Sequence, residues 1–305
     1  METDDRFIQR LSDELAKDDL QDASRRRVVI DVRGYLEWHR GTYGEGMDPD
    51  DVRVSSMDLA EFRTHALKTC QPNTVGRKLA SIRKALSLLA PAVLAGLRMP
   101  KLPPQNKPAP SGWTRKEWLA IYRAADRLSP RDRAIVYLCC GTGGRATSIA
   151  AVKLANLDLR PRTGSVTYDV VKGGPGRQYS VPLSVPVREA LAAYLAIRKP
   201  TQHPFVFQSE QWPWEPITRW TIHDIVHRRL AKHLPKELAE KIKGPHGLGR
   251  HGLARLLIQQ GVPLPDVAAI LNHSSVATTA NIYMRPSEAD LRKHLDRAAG
   301  EDVEE

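Results

Sequence analysis

The chain of 305 residues carries 46 Lys and Arg against 35 Asp and Glu, a formal net charge of +11, with 41% hydrophobic residues. Those proportions exclude intrinsic disorder, and the length fits about two domains. The longest apolar stretch, Ala190 to Ile197, is far shorter than the ~20 residues of a membrane-spanning helix, and the start METDD has no apolar signal region. Three cysteines (Cys70, Cys139, Cys140) are too few for a disulfide framework, so a cytoplasmic protein without membrane contact is expected.

The spacing of Phe7, Ile8, Leu11 and Leu15 predicts a first amphipathic helix, and that of Val28, Val29, Val32, Tyr35 and Leu36 a second. Val75, Leu79, Ile82, Leu86 and Leu89 predict another, capped by Asn73 or Thr74. Off that stripe lie Arg77, Lys78, Arg83 and Lys84, which read either as DNA-phosphate contacts or as an ordinary solvated face. Five prolines between Met99 and Ser111 read as an extended linker. The expected organisation is a helical domain over residues 1–100, a linker over 101–111 and a second domain over 112–305.

After the linker, Trp113 to Leu128 reads as a helix, and Asp132 to Cys140 as either a short helix or a buried strand. Ser165 to Val171 and Gln178 to Leu183 read as strands of a hairpin joined through KGGPGR, followed by a helix from Val187 to Ile197 and a small strand at Phe205 to Phe207. Ile217 to Leu230 resumes helical spacing, and Gly249 to Arg297 reads as helical apart from breaks at Gly261 to Pro265 and His273 to Ser275. The expected fold is mainly α with a small antiparallel sheet.

Charge is unevenly placed. Residues 1–100 hold 16 basic and 16 acidic side chains, whereas residues 101–250 hold 25 and 11, which points to a polyanionic partner for the middle of the chain. GTGGRA at residues 141–146 meets the pattern that opens a dinucleotide-binding unit if AIVYLCC before it is a strand, which leaves a nicotinamide-dependent oxidoreductase as a remote alternative. His246 and His251 have zinc-finger spacing but no CxxC partner, so no metal site is expected.

A larger grouping takes in Arg145, Lys172, His246, Arg250, His273 and Tyr283, in that order. GTGGRATSIAAVKLANLDL and LNHSSVATTANIYMRP around them resemble the first-arginine box and the tyrosine box of the tyrosine recombinase (phage integrase) family. The resemblance covers the second domain, and the first is similar to the family's core-binding domain. It implies a site-specific recombinase that breaks and rejoins double-stranded DNA through a 3′-phosphotyrosyl intermediate, works as a tetramer on DNA and needs no cofactor. A non-catalytic DNA-binding relative is the alternative.

The residue types suit that chemistry. Tyr283 supplies a nucleophile that can hold a phosphoryl group, Arg145 and Arg250 fork onto phosphate oxygens, Lys172 supplies a proton to the leaving oxygen, and His246 is the expected base. Three departures stand out. Ser148 occupies the place, three after the first arginine, where the family commonly has an acidic residue. HGLGRH puts three residues between His246 and Arg250 where the family usually has two, which rotates the histidine by roughly 100° on a regular helix unless Gly247 or Gly249 breaks it. Asn272 replaces the usual glycine before the histidine.

Overall fold

The computed structural model describes residues 2–103, 112–170, 176–212 and 215–283, with residues 292, 295, 296, 298 and 299 beyond them. The chain divides into two compact units, residues 1–107 and 108–305.

The first unit is helical: α1 (Glu2–Ala16), α2 (Asp22–Tyr43), α3 (Ser56–Leu67), α4 (Pro72–Leu89) and the short α5 (Pro91–Gly96). The stripes read from sequence form one core in which Phe7, Leu11, Tyr35, Leu36, Val75, Ile82 and Leu86 are buried. Pro72 opens α4 after Gln71, so Asn73 and Thr74 lie in its first turn rather than capping it. Helix α3 has almost no apolar periodicity and is set instead by a capping box between Ser55 and Asp58.

The second unit runs α6 (Arg115–Ala125), α7 (Pro130–Thr142), α8 (Ala146–Ala150), a 3₁₀ turn at Leu154–Asn156, β1 (Leu157–Asp158), β2 (Ser165–Asp169), β3 (Gln178–Pro182) and α9 (Val185–Leu195). Then come α10 (Arg219–Asp224), a π-helical turn at Ile225–Arg229, a 3₁₀ turn at Leu230–His233, α11 (Lys236–Lys241), a second π turn at His246–His251, α12 (Gly252–Gln259), α13 (Leu264–Ile270) and α14 (Val276–Tyr283).

The sheet has the order β1-β2-β3, antiparallel throughout, with Val166 opposite Val181 and Tyr168 opposite Tyr179. Phe205 to Phe207 is not a strand: Phe205 makes an isolated bridge to Lys153. The stretch Asp132 to Cys140 lies within helix α7, buried on nearly all sides, which is why its apolar run lacks a clean period. GTGGRA therefore follows a helix, and the strand that a dinucleotide-binding unit needs is not there. The core of this unit gathers α6, α7, α9, the hairpin and the π turns around Ile135, Leu138, Val166, Leu191, Ile225 and Leu248.

Candidate active site

Arg145 is delivered by a tight turn. Helix α7 ends on Gly143 with φ of 61°, the left-handed cap for which glycine is suited, and the chain reverses into α8 with Arg145 at its N-cap. The Thr142 hydroxyl fixes the turn, lying 2.7 Å from both the Leu138 carbonyl and the Tyr168 hydroxyl and accepting from the Gly144 N–H at 3.2 Å. Arg145 is left exposed on the rim of a cleft of about 570 Å³ that Ser148, Asp169, Arg177, Tyr179, Asn272 and His273 also line. Ser148 brings no carboxylate, but Asp169, at the end of β2, does.

Arg250 is not among the residues lining this cleft; it is 2% exposed and donates to the carbonyl oxygens of Gly143 at 3.2 Å and Leu271 at 2.5 Å. It thereby ties the Arg145 turn to the end of α13. Burial, with the nearby charge of Arg145, lowers its pKa to about 10. Two guanidinium groups that repel each other suit an anion between them.

The spacing HGLGRH is accommodated by the π turn, not by a break in the helix. The wider turn absorbs one extra residue, so the chain runs from Pro245 into α12 without leaving helical conformation. The Gly252 N–H bonds back to the Gly247 and Gly249 carbonyls, and the Leu248 carbonyl accepts instead from Trp113 Nε1 at 3.0 Å. Trp113 stands before α6 and buttresses this turn.

His273 is held by Thr279, whose hydroxyl is fully buried and 2.7 Å from Nδ1, leaving Nε2 as the nitrogen available to the cleft. Burial, joined by the charges of Arg250 and Arg145, lowers its pKa to about 4. His246 keeps solvent access, yet protein packed around its ring and the charges of His251, Arg250 and Arg145 hold it below the ordinary histidine value. Both rings are neutral near pH 7.

Tyr283 ends α14 and is 1% exposed, packed in a small cluster with Ala254, Val267 and Leu271. Burial raises its pKa to about 12. Its hydroxyl is 2.7 Å from Nδ1 of His251, not bonded to His246, the base expected from the motif. Motif reasoning missed His251; the only signal was its place directly after Arg250. Tyr179 was missed as well. It lines the cleft within the field of Arg250 and Arg145, and its buried hydroxyl has no hydrogen-bond partner among the described residues. Lys172 lies outside the described residues.

In the first unit, the four cations on α4 divide. Arg77 is paired with the buried carboxylate of Asp31, which also accepts from Ser81 at 2.9 Å, and Lys84 is paired with Asp18. Lys78 instead lines a separate groove with Arg25, Arg26 and Arg33, and Arg83 is exposed.

A model of the phage integrase family matches residues 113–290. The tyrosine recombinase XerA of Pyrococcus furiosus is 28% identical over 90% of this chain and 94% of its own, and the tyrosine recombinase XerC of Bacillus pumilus is 28% identical over 87% and 88%. Among solved structures, the Tn1549 transposon integrase in complex with transposon right end DNA is similar at a TM-score of 0.68 and 15% identity, over 96% of this chain and 99% of that one.

Proposed function

The chain belongs to the phage integrase family, a site-specific tyrosine recombinase by that membership, and we propose that Tyr283 is its nucleophile, with Arg145, Arg250 and His273 holding the scissile phosphate. The observation that carries this reading is that Arg145 and the neutral imidazole of His273 line one cleft, with the buried Arg250 near enough to act electrostatically on both and on Tyr283, the tyrosine of the C-terminal box.

The chemistry follows from the parts. The Tyr283 oxygen attacks phosphorus, the bond to the 5′-oxygen breaks, and that oxygen leaves as a hydroxyl with a proton from Lys172. The fork of Arg250, already oriented by two carbonyls, and that of Arg145 neutralise the nonbridging oxygens as charge builds on them. The phosphotyrosyl bond conserves the energy of the phosphodiester, so a 5′-hydroxyl from another strand reverses the step without ATP.

The partner is double-stranded DNA, with unit 1 as a core-binding domain that uses Lys78 and Arg83, and strand exchange takes place in a tetramer. Among the described residues, no helix is long and apolar enough to cross a membrane, and a cytoplasmic enzyme acting on a mobile element is the setting that fits. The test is a nicked duplex from the protein's native flanking DNA, which traps the covalent joint by losing the short leaving strand. A denaturation-resistant adduct mapping to Tyr283 and lost in Tyr283→Phe is expected. DNA binding without any adduct would instead make the protein a non-catalytic relative.

A further inference from the structure

The hydroxyl of Tyr283 meets one side chain at hydrogen-bond distance among the described residues, and it is His251. The two rings are 5.5 Å apart at 65°, and the His246 ring stands edge-on to His251 at 4.5 Å. The tyrosine is fixed at its other end too, where Arg255 Nη1 donates to its backbone carbonyl at 2.8 Å. The π turn is the cause of this arrangement. By absorbing the extra residue it keeps Arg250 directed inward at Gly143 and Leu271, and the next residue along falls against α14.

We propose that His251, rather than His246, accepts the phenolic proton of Tyr283 during cleavage and returns it during religation. This rests on the recombinase reading above. As the tyrosine oxygen bonds to phosphorus, its proton passes to Nδ1 of His251 and the electron pair of the breaking bond leaves on the 5′-oxygen, which is protonated by the general acid. In religation each transfer runs backward, so the imidazole begins and ends the cycle neutral.

The surroundings suit the role. Burial, with the positive charge of Arg250, keeps His251 below its ordinary pKa, so it is unprotonated and ready at neutral pH. A phosphate seated between Arg145 and Arg250 offsets that charge and makes the imidazole a stronger base when substrate is present. The phenol, raised by burial, does not ionise unaided and needs a base in contact. His246, edge-on to His251 at 4.5 Å, stabilises the ring's orientation and is a positioning residue.

Single-turnover adduct formation on the nicked duplex tests this with His251→Ala, His251→Gln, His246→Ala and Tyr283→Phe. Wild type forms the adduct and Tyr283→Phe does not; if wild type forms none, the recombinase reading itself has failed. Both His251 variants are expected to slow cleavage about 100-fold with unchanged DNA affinity, and free imidazole to restore part of the rate to His251→Ala. Glutamine keeps a hydrogen bond to the tyrosine but cannot take its proton, so a His251→Gln rate near wild type would overturn the proposal. So would a His251→Ala enzyme as fast as wild type or faster, which would make the contact a latch. A duplex with sulfur in place of the 5′-oxygen needs no proton on its leaving group. If that substrate rescued His251→Ala, the histidine would be the acid rather than the base.

Discussion

Gly249 lies so close to Cys139 that a Cβ placed on it would stand 2.3 Å from the Cys139 carbonyl oxygen and 2.8 Å from the carbonyl carbon. The obstacle is the backbone of α7, buried throughout its middle, and no side-chain rotation relieves it. Gly249→Ala should therefore force the π turn away from α7, at about 1–3 kcal/mol of stability, and carry Arg250 with it. Gly247, whose added Cβ would meet nothing nearer than 3.9 Å, is the control: Gly247→Ala should leave the melting temperature within a few degrees of wild type or raise it. Thermal unfolding with adduct formation on the same samples checks both, and a Gly249→Ala protein with wild-type stability would show that α7 and the turn are not packed this tightly.

The same turn marks the limit of what the sequence revealed. The apolar stripes of α1, α2 and α4 were legible because each buries a single face, and the hairpin because valine, threonine and tyrosine flank a glycine-rich turn. The boxes around Arg145 and Tyr283 were legible as motifs. How HGLGRH folds was not legible, because an added residue in a helix reads as either a break or a shift of register, and only the packing of Gly249 and Trp113 decides for a widened turn. His251 escaped because its partner is 32 residues away and no period connects them. Helix α7 stayed ambiguous because a helix buried on all sides loses the polar face that reveals its period.

Arg250 should resist conservative exchange. Its guanidinium satisfies two carbonyl oxygens with the geometry of a planar fork, which a lysine ammonium does not reproduce. Arg250→Lys is expected to abolish detectable adduct while the fold persists. Arg250→Ala should in addition leave the Gly143 and Leu271 carbonyls unpaired, at about 1–3 kcal/mol for each buried group. Urea unfolding midpoints distinguish the two: a drop for alanine well beyond that for lysine is expected, and equal midpoints would show that the carbonyl contacts add nothing.

The cations of α4 are expected to behave in two ways. Arg77 neutralises a carboxylate that is 2% exposed, so Arg77→Ala should destabilise unit 1 by about 1–3 kcal/mol, less than for a fully buried pair because the arginine is itself 40% exposed. Lys78→Ala and Arg83→Ala should leave stability unchanged but weaken DNA binding, each reducing the slope of log affinity against log salt by about one. Salt titrations of DNA binding beside melting curves check this. A lost salt slope in Arg77→Ala with unchanged melting would reverse the assignment.

Acid should destabilise the free protein through the clustered histidines His246, His251 and His273, and DNA should protect against it. His273 is held down to about 4, by burial and then by Arg250 and Arg145, whereas in the unfolded chain it titrates near the ordinary value of about 6.5. Between those values the unfolded state binds the proton and the folded state does not, so stability falls as pH drops through 6.5 and the loss is complete near 4; above 6.5 the group contributes nothing to the pH dependence. His246 and His251 are shifted in the same direction and add to the slope. His273→Gln, which keeps a polar partner for Thr279 but does not titrate, should show a shallower fall of the urea midpoint across that window. A bound phosphodiester supplies the negative charge the cluster lacks, raises the histidine pKa values toward normal, and should flatten the curve for the wild-type complex. A His273→Gln profile as steep as wild type, or a complex as acid-sensitive as the free protein, would show that the cationic crowding of Arg145 and Arg250 does not set the protonation of this site.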